Sequence, residues 1–253
     1  MDSHGFIVDN RYPKEEYLDL LSGSSNGTMK TSSDTLKEVL NRQRLHWEKT
    51  IASNPEMFGE APSEPARKAA ELFKKEGRTN ILELGGGQGR DTIYFATNGF
   101  HVTVLDYSKE AIETITEKAH QLRLSQSIIA QRHDVRTLLP FADESFDACY
   151  SHMLFCMALT TVELELLARE IRRVLKSRGL NIYTVRHTGD PHYGSGIHRG
   201  EGMYEVDGFV VHFFNTKKVE HLAKGYDVVN VTEFEEGELP RKLFRVTLRK
   251  KDG

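Results

Sequence analysis

The stretch Asn80-Ile81-Leu82-Glu83-Leu84, followed at once by Gly85-Gly86-Gly87-Gln88-Gly89, constrains this chain more than any other. The apolar run is too short for a surface helix and carries an acid near its end. Gly85, Gly87 and Gly89 open backbone angles closed to other residues, and Asp91-Thr92-Ile93-Tyr94-Phe95-Ala96 then resumes helical spacing. The pattern predicts strand, turn and helix start, so that backbone N–H groups and a helix N-terminus face a nucleotide-like ligand. A dinucleotide fingerprint does not fit: G-x-G-x-x-G counted from Gly85 or Gly87 needs glycine where Arg90 and Thr92 stand. A second apolar strand, His101 to Asp106, also ends in an acid, about 20 residues beyond the turn, a position suited to holding a ribose.

Strand and helix patterns then alternate. Ser108 caps a helix carrying Ala111, Ile112, Ile115, Ala119 and Leu122, and Ser127 to Arg132 reads as a third strand delivering His133-Asp134-Val135. After the loop Leu139 to Ser145, a fourth strand from Phe146 to Tyr150 ends at Ser151-His152-Met153. A long amphipathic helix (Leu164, Leu167, Ile171, Val174, Leu175) closes at Ser177-Arg178-Gly179 before a fifth strand, Leu180 to Val185. Such alternation demands a doubly wound parallel sheet. The C-terminal part differs: a helix from Asn215 to Ala223, then strands Tyr226 to Phe234 and Leu243 to Leu248 joined by a turn through Leu239-Pro240, an antiparallel pair.

Upstream, Tyr12 to Leu21 can form a short helix before the linker-like Ser22 to Gly27. Asn26-Gly27-Thr28 matches a glycosylation acceptor by chance. From Ser33 or Asp34 as N-cap, Leu36, Val39 and Leu40 begin a helix leading to Trp47, the sole tryptophan. A turn-rich stretch around Asn54-Pro55 and Phe58 precedes a helix from Ser63 or Glu64 to about Lys75, with Ala66, Ala69, Ala70 and Phe73 as its buried stripe. At 253 residues the chain buries a substantial core unaided, as an extension over 1–45 and one domain over 46–253. Cys149 and Cys156 lie in apolar surroundings and read as packing thiols of a reducing compartment. No long apolar run and no signal-peptide pattern occurs, which predicts a cytoplasmic protein without membrane contact. With a net charge of -3 and mixed signs throughout, composition argues against a nucleic-acid substrate.

The motif from Glu83 to Gly89, E-x-G-x-G-x-G, together with Asp106, Asp134-Val135 before Leu139-Pro140-Phe141, Phe146-Asp147 and Leu175-Lys176-Ser177-Arg178-Gly179-Leu180, resembles the class I S-adenosylmethionine-dependent methyltransferases. The last motif departs from the family's L-K-P-G-G at Ser177 and Arg178. The resemblance covers roughly Trp47 to Lys250. It implies an α/β, Rossmann-like seven-stranded sheet, mostly parallel with an antiparallel C-terminal strand and helices on both faces. It further implies that Gly85, Gly86, Gly87 and Gly89 bring the backbone against S-adenosylmethionine, that Glu83 faces its amino group, and that Asp106, with Tyr107 beside it, accepts the ribose hydroxyls. Asp134 and Val135 border the adenine, and Ser151 closes the site. In this family the segment before the first strand often covers the cofactor, which makes Trp47 and Phe58 lid candidates, with plain packing as the alternative.

A sulfonium methyl is already activated, so such an enzyme aligns an acceptor and excludes water. Ligands in doubly wound sheets lie beyond the strand carboxyl ends. The acceptor residues are therefore expected at Ser151, His152, Met153 and Phe155 and in the loop Arg186 to Arg199, where His187, His192, Tyr193 and His198 lie among glycines. His152, His187 and His192 are candidate bases, and Arg186 and Arg199 candidate clamps for an anion. The loop reads foremost as a solvated lid with one or two substrate contacts. No metal is expected, since the spacing of His187, His192 and His198 matches no standard ligand set. Neither Asn/Asp-Pro-Pro-Tyr/Phe after strand four nor Pro-Cys is present. The features look most like the small-molecule branch, including tellurite-resistance and thiopurine-type enzymes. A protein or RNA acceptor, or a non-catalytic binding module, remain the alternatives, and monomer and homodimer both stay open.

Overall fold

The computed structural model describes residues 36–54, 57–237 and 241–252. The expected Tyr12–Leu21 helix, the 22–27 linker, the Ser33/Asp34 cap and the tip of the turn at Leu239-Pro240 lie outside them. The strands are β1 (Asn80–Leu84), β2 (His101–Asp106), β3 (Ile128–Arg132), β4 (Phe146–His152), β5 (Leu175–Arg186), β6 (Ile197–Gly200), β7 (Met203–Val206), β8 (Phe209–His212), β9 (Tyr226–Glu236) and β10 (Arg241–Lys250). The helices are α1 (Leu36–Ser53), α2 (Glu64–Lys75), α3 (Arg90–Thr97), α4 (Lys109–Gln121), α5 (Thr161–Val174) and α6 (Thr216–Leu222).

Seven strands form one sheet in the order β3-β2-β1-β4-β5-β10-β9, with β10 antiparallel to both neighbours and the other pairings parallel. This is the fold class read from the sequence. Alternation along the central strands sends Ile81, Val104, Tyr150 and Ile182 to one face, against Phe73, Phe95 and Ile115 of α2, α3 and α4. Leu82, Leu105, Tyr183 and Val246 go to the other face, against Leu164 and Leu167 of α5 and Val219 of α6. The helices start where caps allow: Ser63 Oγ accepts from Ala66 N, Ser108 from Ala111, and Thr160 and Glu163 form a reciprocal capping box.

Three features depart from the expected layout. Helix α1 runs without a break through residue 45, where an extension was set off from the domain. Strand β5 begins at Leu175 rather than Leu180, passing through Arg178 at φ 60°. Most consequentially, the end of the supposed loop lid, from Ile197 to Arg199, belongs to strand β6, which with β7 and β8 beyond it makes an antiparallel three-stranded sheet. Its turns are Glu201-Gly202 and Asp207-Gly208, with φ values of 54° and 83°, and 51° and 79°. Both central residues of each turn are left-handed, the conformation that joins twisted strands in a two-residue hairpin.

Helix α1 is docked on this small sheet. Val39 and Leu40 pack with Met203 and Val210. The buried Gln43 carboxamide donates to Gly208 O at 2.8 Å and accepts from Val210 N at 3.0 Å, mimicking a neighbouring strand. The His46 and Trp47 rings lie 4.2 and 4.8 Å from Phe209. Together α1 and the hairpin sheet roof the carboxyl edge of the main sheet.

Candidate active site at the carboxyl edge of the sheet

The glycine turn is held by its own backbone and by β2. Gly85 N donates to Leu105 O at 2.7 Å and Gly87 N to Asp106 Oδ2 at 3.0 Å, while Asp106 Oδ1 accepts from Ser108 N at 2.9 Å. A Cβ at Gly86 would stand 2.4 Å from Val104 Cγ2, and one at Gly89 2.7 Å from Ile115 Cγ1. Glycine is therefore required by packing beneath the turn as well as by backbone angles. Phe58 covers the turn from above, its ring 3.3 Å from where a Gly87 Cβ would be, and its carbonyl accepts from Arg90 Nη1 at 2.9 Å.

Glu83 is buried at the end of β1, and its Oε2 has no partner among the described residues. Burial, with Asp91 adding to it, pushes its carboxyl up to about 8; burial also lifts Asp106 to about 6. The Ser151 hydroxyl, fully buried at the end of β4, is likewise without a partner. Behind this pair, Asp91 accepts from Ser63 N and Ser63 Oγ (2.8 and 2.7 Å) and from Tyr150 OH (3.0 Å), tying α2, α3 and β4 into one rigid wall. Under-neutralised buried acids and orphaned oxygens fit a ligand that brings a cation and hydrogen-bond donors, which is the chemistry of the methionine end of S-adenosylmethionine.

Beyond the ends of β2 and β3, Trp47, Tyr107, Val135 and Leu154 help line a cavity of about 40 Å³ beneath α1. Asp134 lies at its edge. Burial by itself raises its carboxyl, but hydrogen bonds from Arg136, as short as 2.6 Å, outweigh that and hold it below the usual range. Arg136 also donates to Asn41 of α1, and Arg132 to Glu48, so the roof is bolted to the β3 end of the sheet. Glu83, the four glycines, Asp106, Tyr107, Asp134, Val135, Ser151, Trp47 and Phe58 thus gather in one place.

The expected acceptor residues divide. Met153, held at φ 60°, and His152 stand at the end of β4 beside the site. Arg186, expected as an anion clamp, is buried in a two-point ion pair with Asp190, which also accepts from His192 N and Lys242 N. Arg199 pairs with Glu205 within the small sheet. His187 stacks on Phe244 at 4.5 Å and accepts from Gly189 N at Nδ1, and desolvation lowers its pKa. His192 accepts from Arg186, and desolvation followed by that neighbouring charge lowers it too. Tyr193 and His198 pack around Tyr204. The Arg186–Arg199 segment is an internally satisfied platform, and no cluster of His, Cys, Asp or Glu that could hold a metal occurs among the described residues.

Sequence reading missed Gln43, Arg90, Thr184 and Glu236. Thr184 faces the edge by strand alternation and Arg90 follows the last turn glycine, so both carried a local signal. Gln43 and Glu236 gain their roles from partners 165 and 84 residues away.

The family model described as a methyltransferase domain matches residues 81–179. No curated protein matches the chain. Several solved structures share the fold. One is the 1,6-didemethyltoxoflavin-N1-methyltransferase of Burkholderia thailandensis, seen with 1,6-didemethyltoxoflavin and S-adenosylhomocysteine: 17% identity, 87% of this chain and 92% of that one covered, TM-score 0.69. Another is a SAM-dependent methyltransferase from Methanosarcina mazei, at 21% identity, 70% and 94% coverage and TM-score 0.59. TehB from Haemophilus influenzae aligns at 16% identity over 81% of this chain and 67% of its own, TM-score 0.61. No helix among the described residues is long and apolar enough to cross a membrane.

Proposed function

We propose that this chain, whose residues 81–179 match a methyltransferase-domain model and whose sheet is shared with solved S-adenosylmethionine-dependent methyltransferases, transfers the methyl group of S-adenosylmethionine to a small-molecule acceptor by in-line displacement. The observation that carries the acceptor class is the roof: α1, pinned to β8 by Gln43 and to the β3 end by Arg132 and Arg136, lies over the carboxyl edge and leaves a cavity of about 40 Å³. A metabolite fits under a cover that opens and closes; a protein loop or RNA needs an open cleft. The Burkholderia thailandensis neighbour, named for a small heterocycle, accords with this reading.

The chain's own part in the chemistry follows from the geometry. Gly87 N–H orients Asp106 so that its remaining lone pairs face the ribose side, Tyr107 and Val135 take the adenine, and Glu83 with Ser151 offers oxygen acceptors to the methionine end. When bound, the cofactor supplies an electrophilic methyl on a cationic sulfur. The cavity is too small for an adenine ring until α1 moves outward, so entry and exit run through that helix. Re-seating Gln43, Trp47 and Phe58 then excludes water.

Titration calorimetry with S-adenosylhomocysteine tests the cofactor half. Wild type binds at one site, and Asp106→Ala loses about 1.5–3 kcal/mol of affinity, the range for a hydrogen bond to a charged group. Equal affinities would remove Asp106 from the site.

A further inference from the structure

Beside the cofactor residues stands a hydrogen-bonded chain that the reading above does not use. Met153 N donates to Thr184 Oγ1 at 2.9 Å, Thr184 Oγ1 lies 2.9 Å from His152 Nδ1, and His152 Nε2 lies 3.0 Å from Glu236 Oε2. The other carboxylate oxygen of Glu236 faces Arg90 Nη2 at 3.5 Å, at the start of the helix that follows the glycine turn. One neutral tautomer of His152 satisfies every partner in this chain. Burial alone raises the Glu236 carboxyl, but the hydrogen bond from His152 outweighs it and holds the group below the ordinary carboxylate range. An ionised carboxylate only accepts, so Nε2 carries the imidazole proton and Nδ1 accepts from the fully buried Thr184 hydroxyl. The lone pair of His152 therefore points into the protein rather than toward the acceptor. Glu236 projects from the end of edge strand β9 to meet this chain. Met153 is kept in a left-handed conformation directly after His152, the kind of strain of about 1 kcal/mol that persists where the surroundings dictate a position.

The geometry points to Glu236 as the catalytic residue that takes the acceptor's proton, with His152 and Thr184 as positioning residues, and to an acceptor that presents a hydroxyl or a weakly basic ring N–H. This rests on the methyltransferase reading and replaces His152, His187 and His192 as candidate bases. The acceptor's heteroatom forms the bond to the methyl carbon as the carbon–sulfur bond breaks and its electron pair stays on sulfur. The proton leaving the heteroatom goes to Glu236, which passes it to water afterwards. A carboxylate held ionised is too weak a base for an alkylammonium. It suffices for a hydroxyl or ring N–H, because their remaining proton becomes strongly acidic as the new bond forms. Selenium or tellurium oxyanions, by contrast, would meet a like charge.

The test uses the full chain with a panel of phenols, heteroaromatic N–H compounds, thiols and selenite, scored by S-adenosylhomocysteine formation, and with histidine ¹⁵N spectra of the S-adenosylhomocysteine complex. Turnover is expected on the O–H and N–H compounds and not on selenite. Glu236→Gln should lower kcat by about 10²–10⁴-fold at neutral pH, with recovery as pH rises and the acceptor ionises by itself, and with S-adenosylhomocysteine affinity unchanged. Unchanged affinity also shows that the variant is folded. The ¹⁵N shifts should place the His152 proton on Nε2. An unaltered kcat in Glu236→Gln, turnover on thiols or selenite alone, or a proton on Nδ1 would each overturn the assignment while leaving the methyltransferase reading intact. Absence of S-adenosylhomocysteine binding, or binding with no turnover on any compound or cell-extract fraction, would overturn both.

Discussion

Replacing Glu83 by glutamine gives a prediction whose sign is unusual for a buried charged residue. Its folded pKa is raised from 4.5 to about 8, chiefly by burial. The protonated form is therefore favoured in the folded state: its stabilising contribution is fully present below about pH 4.5 and is lost as pH climbs through about 8. A shift of that size corresponds to a ceiling of about 4–5 kcal/mol. Water entering the ligand-free site reduces what is observable to on the order of 2 kcal/mol. Glutamine keeps the shape and carries no charge. Glu83→Gln should thus match wild type in thermal unfolding at about pH 5 and exceed it by roughly 4–8 °C at about pH 8.5, for a chain of this size. It should do so while binding S-adenosylhomocysteine about 10- to 100-fold more weakly, because the amide cannot pair with the ligand's ammonium group. Scanning calorimetry across pH, with calorimetric titration at neutral pH, reads both effects. Equal destabilisation at both pH values would refute the reasoning, since it would mean that Glu83 is already ionised and paired in the ligand-free protein.

Further outcomes follow from the roof and its platform. Gln43→Ala leaves Val210 N–H without its buried acceptor and unpins α1. It should cost about 1–3 kcal/mol, accelerate amide exchange over residues 36–53 and speed S-adenosylhomocysteine release, and unchanged exchange there would show that α1 is held by other contacts. Asp190→Ala strands the buried Arg186 guanidinium and should destabilise by about 3–5 kcal/mol with no change in cofactor affinity. A stable variant that instead loses acceptor turnover would return Arg186 to the substrate.

What was legible in the sequence was whatever a local period or a turn residue encodes. Strands β1 and β2 announce themselves as apolar runs ending in Glu83 and Asp106, and the glycine turn between them is dictated by contacts such as Gly86 on Val104 that no larger residue survives. Tyr107 and Val135 could be picked out because they follow strands that the topology brings together, while Leu154, which lines the same cavity, was not singled out. The small sheet was masked by its own glycines. Between Gly194 and Gly208 they resemble a mobile loop, yet Glu201-Gly202 and Asp207-Gly208 are hairpin turns, and Asp-Gly between apolar strands was the available signal. Arg186 and Arg199 looked free because their carboxylates, Asp190 and Glu205, are assigned only by the fold. Glu236 on β9 reaches His152 on β4 across two intervening strands of the sheet, β5 and β10, information that pattern and propensity do not contain.

Central to the account is a methyl transfer performed under a closed roof on a small acceptor. The most direct measurement incubates the full chain and S-adenosylmethionine with a cell extract divided by ultrafiltration, and follows S-adenosylhomocysteine formation in each fraction. Stimulation by the low-mass fraction, lowered by Asp106→Ala at limiting S-adenosylmethionine, is the predicted result. Stimulation by the retained macromolecules alone would contradict it and shift the acceptor to a protein or RNA.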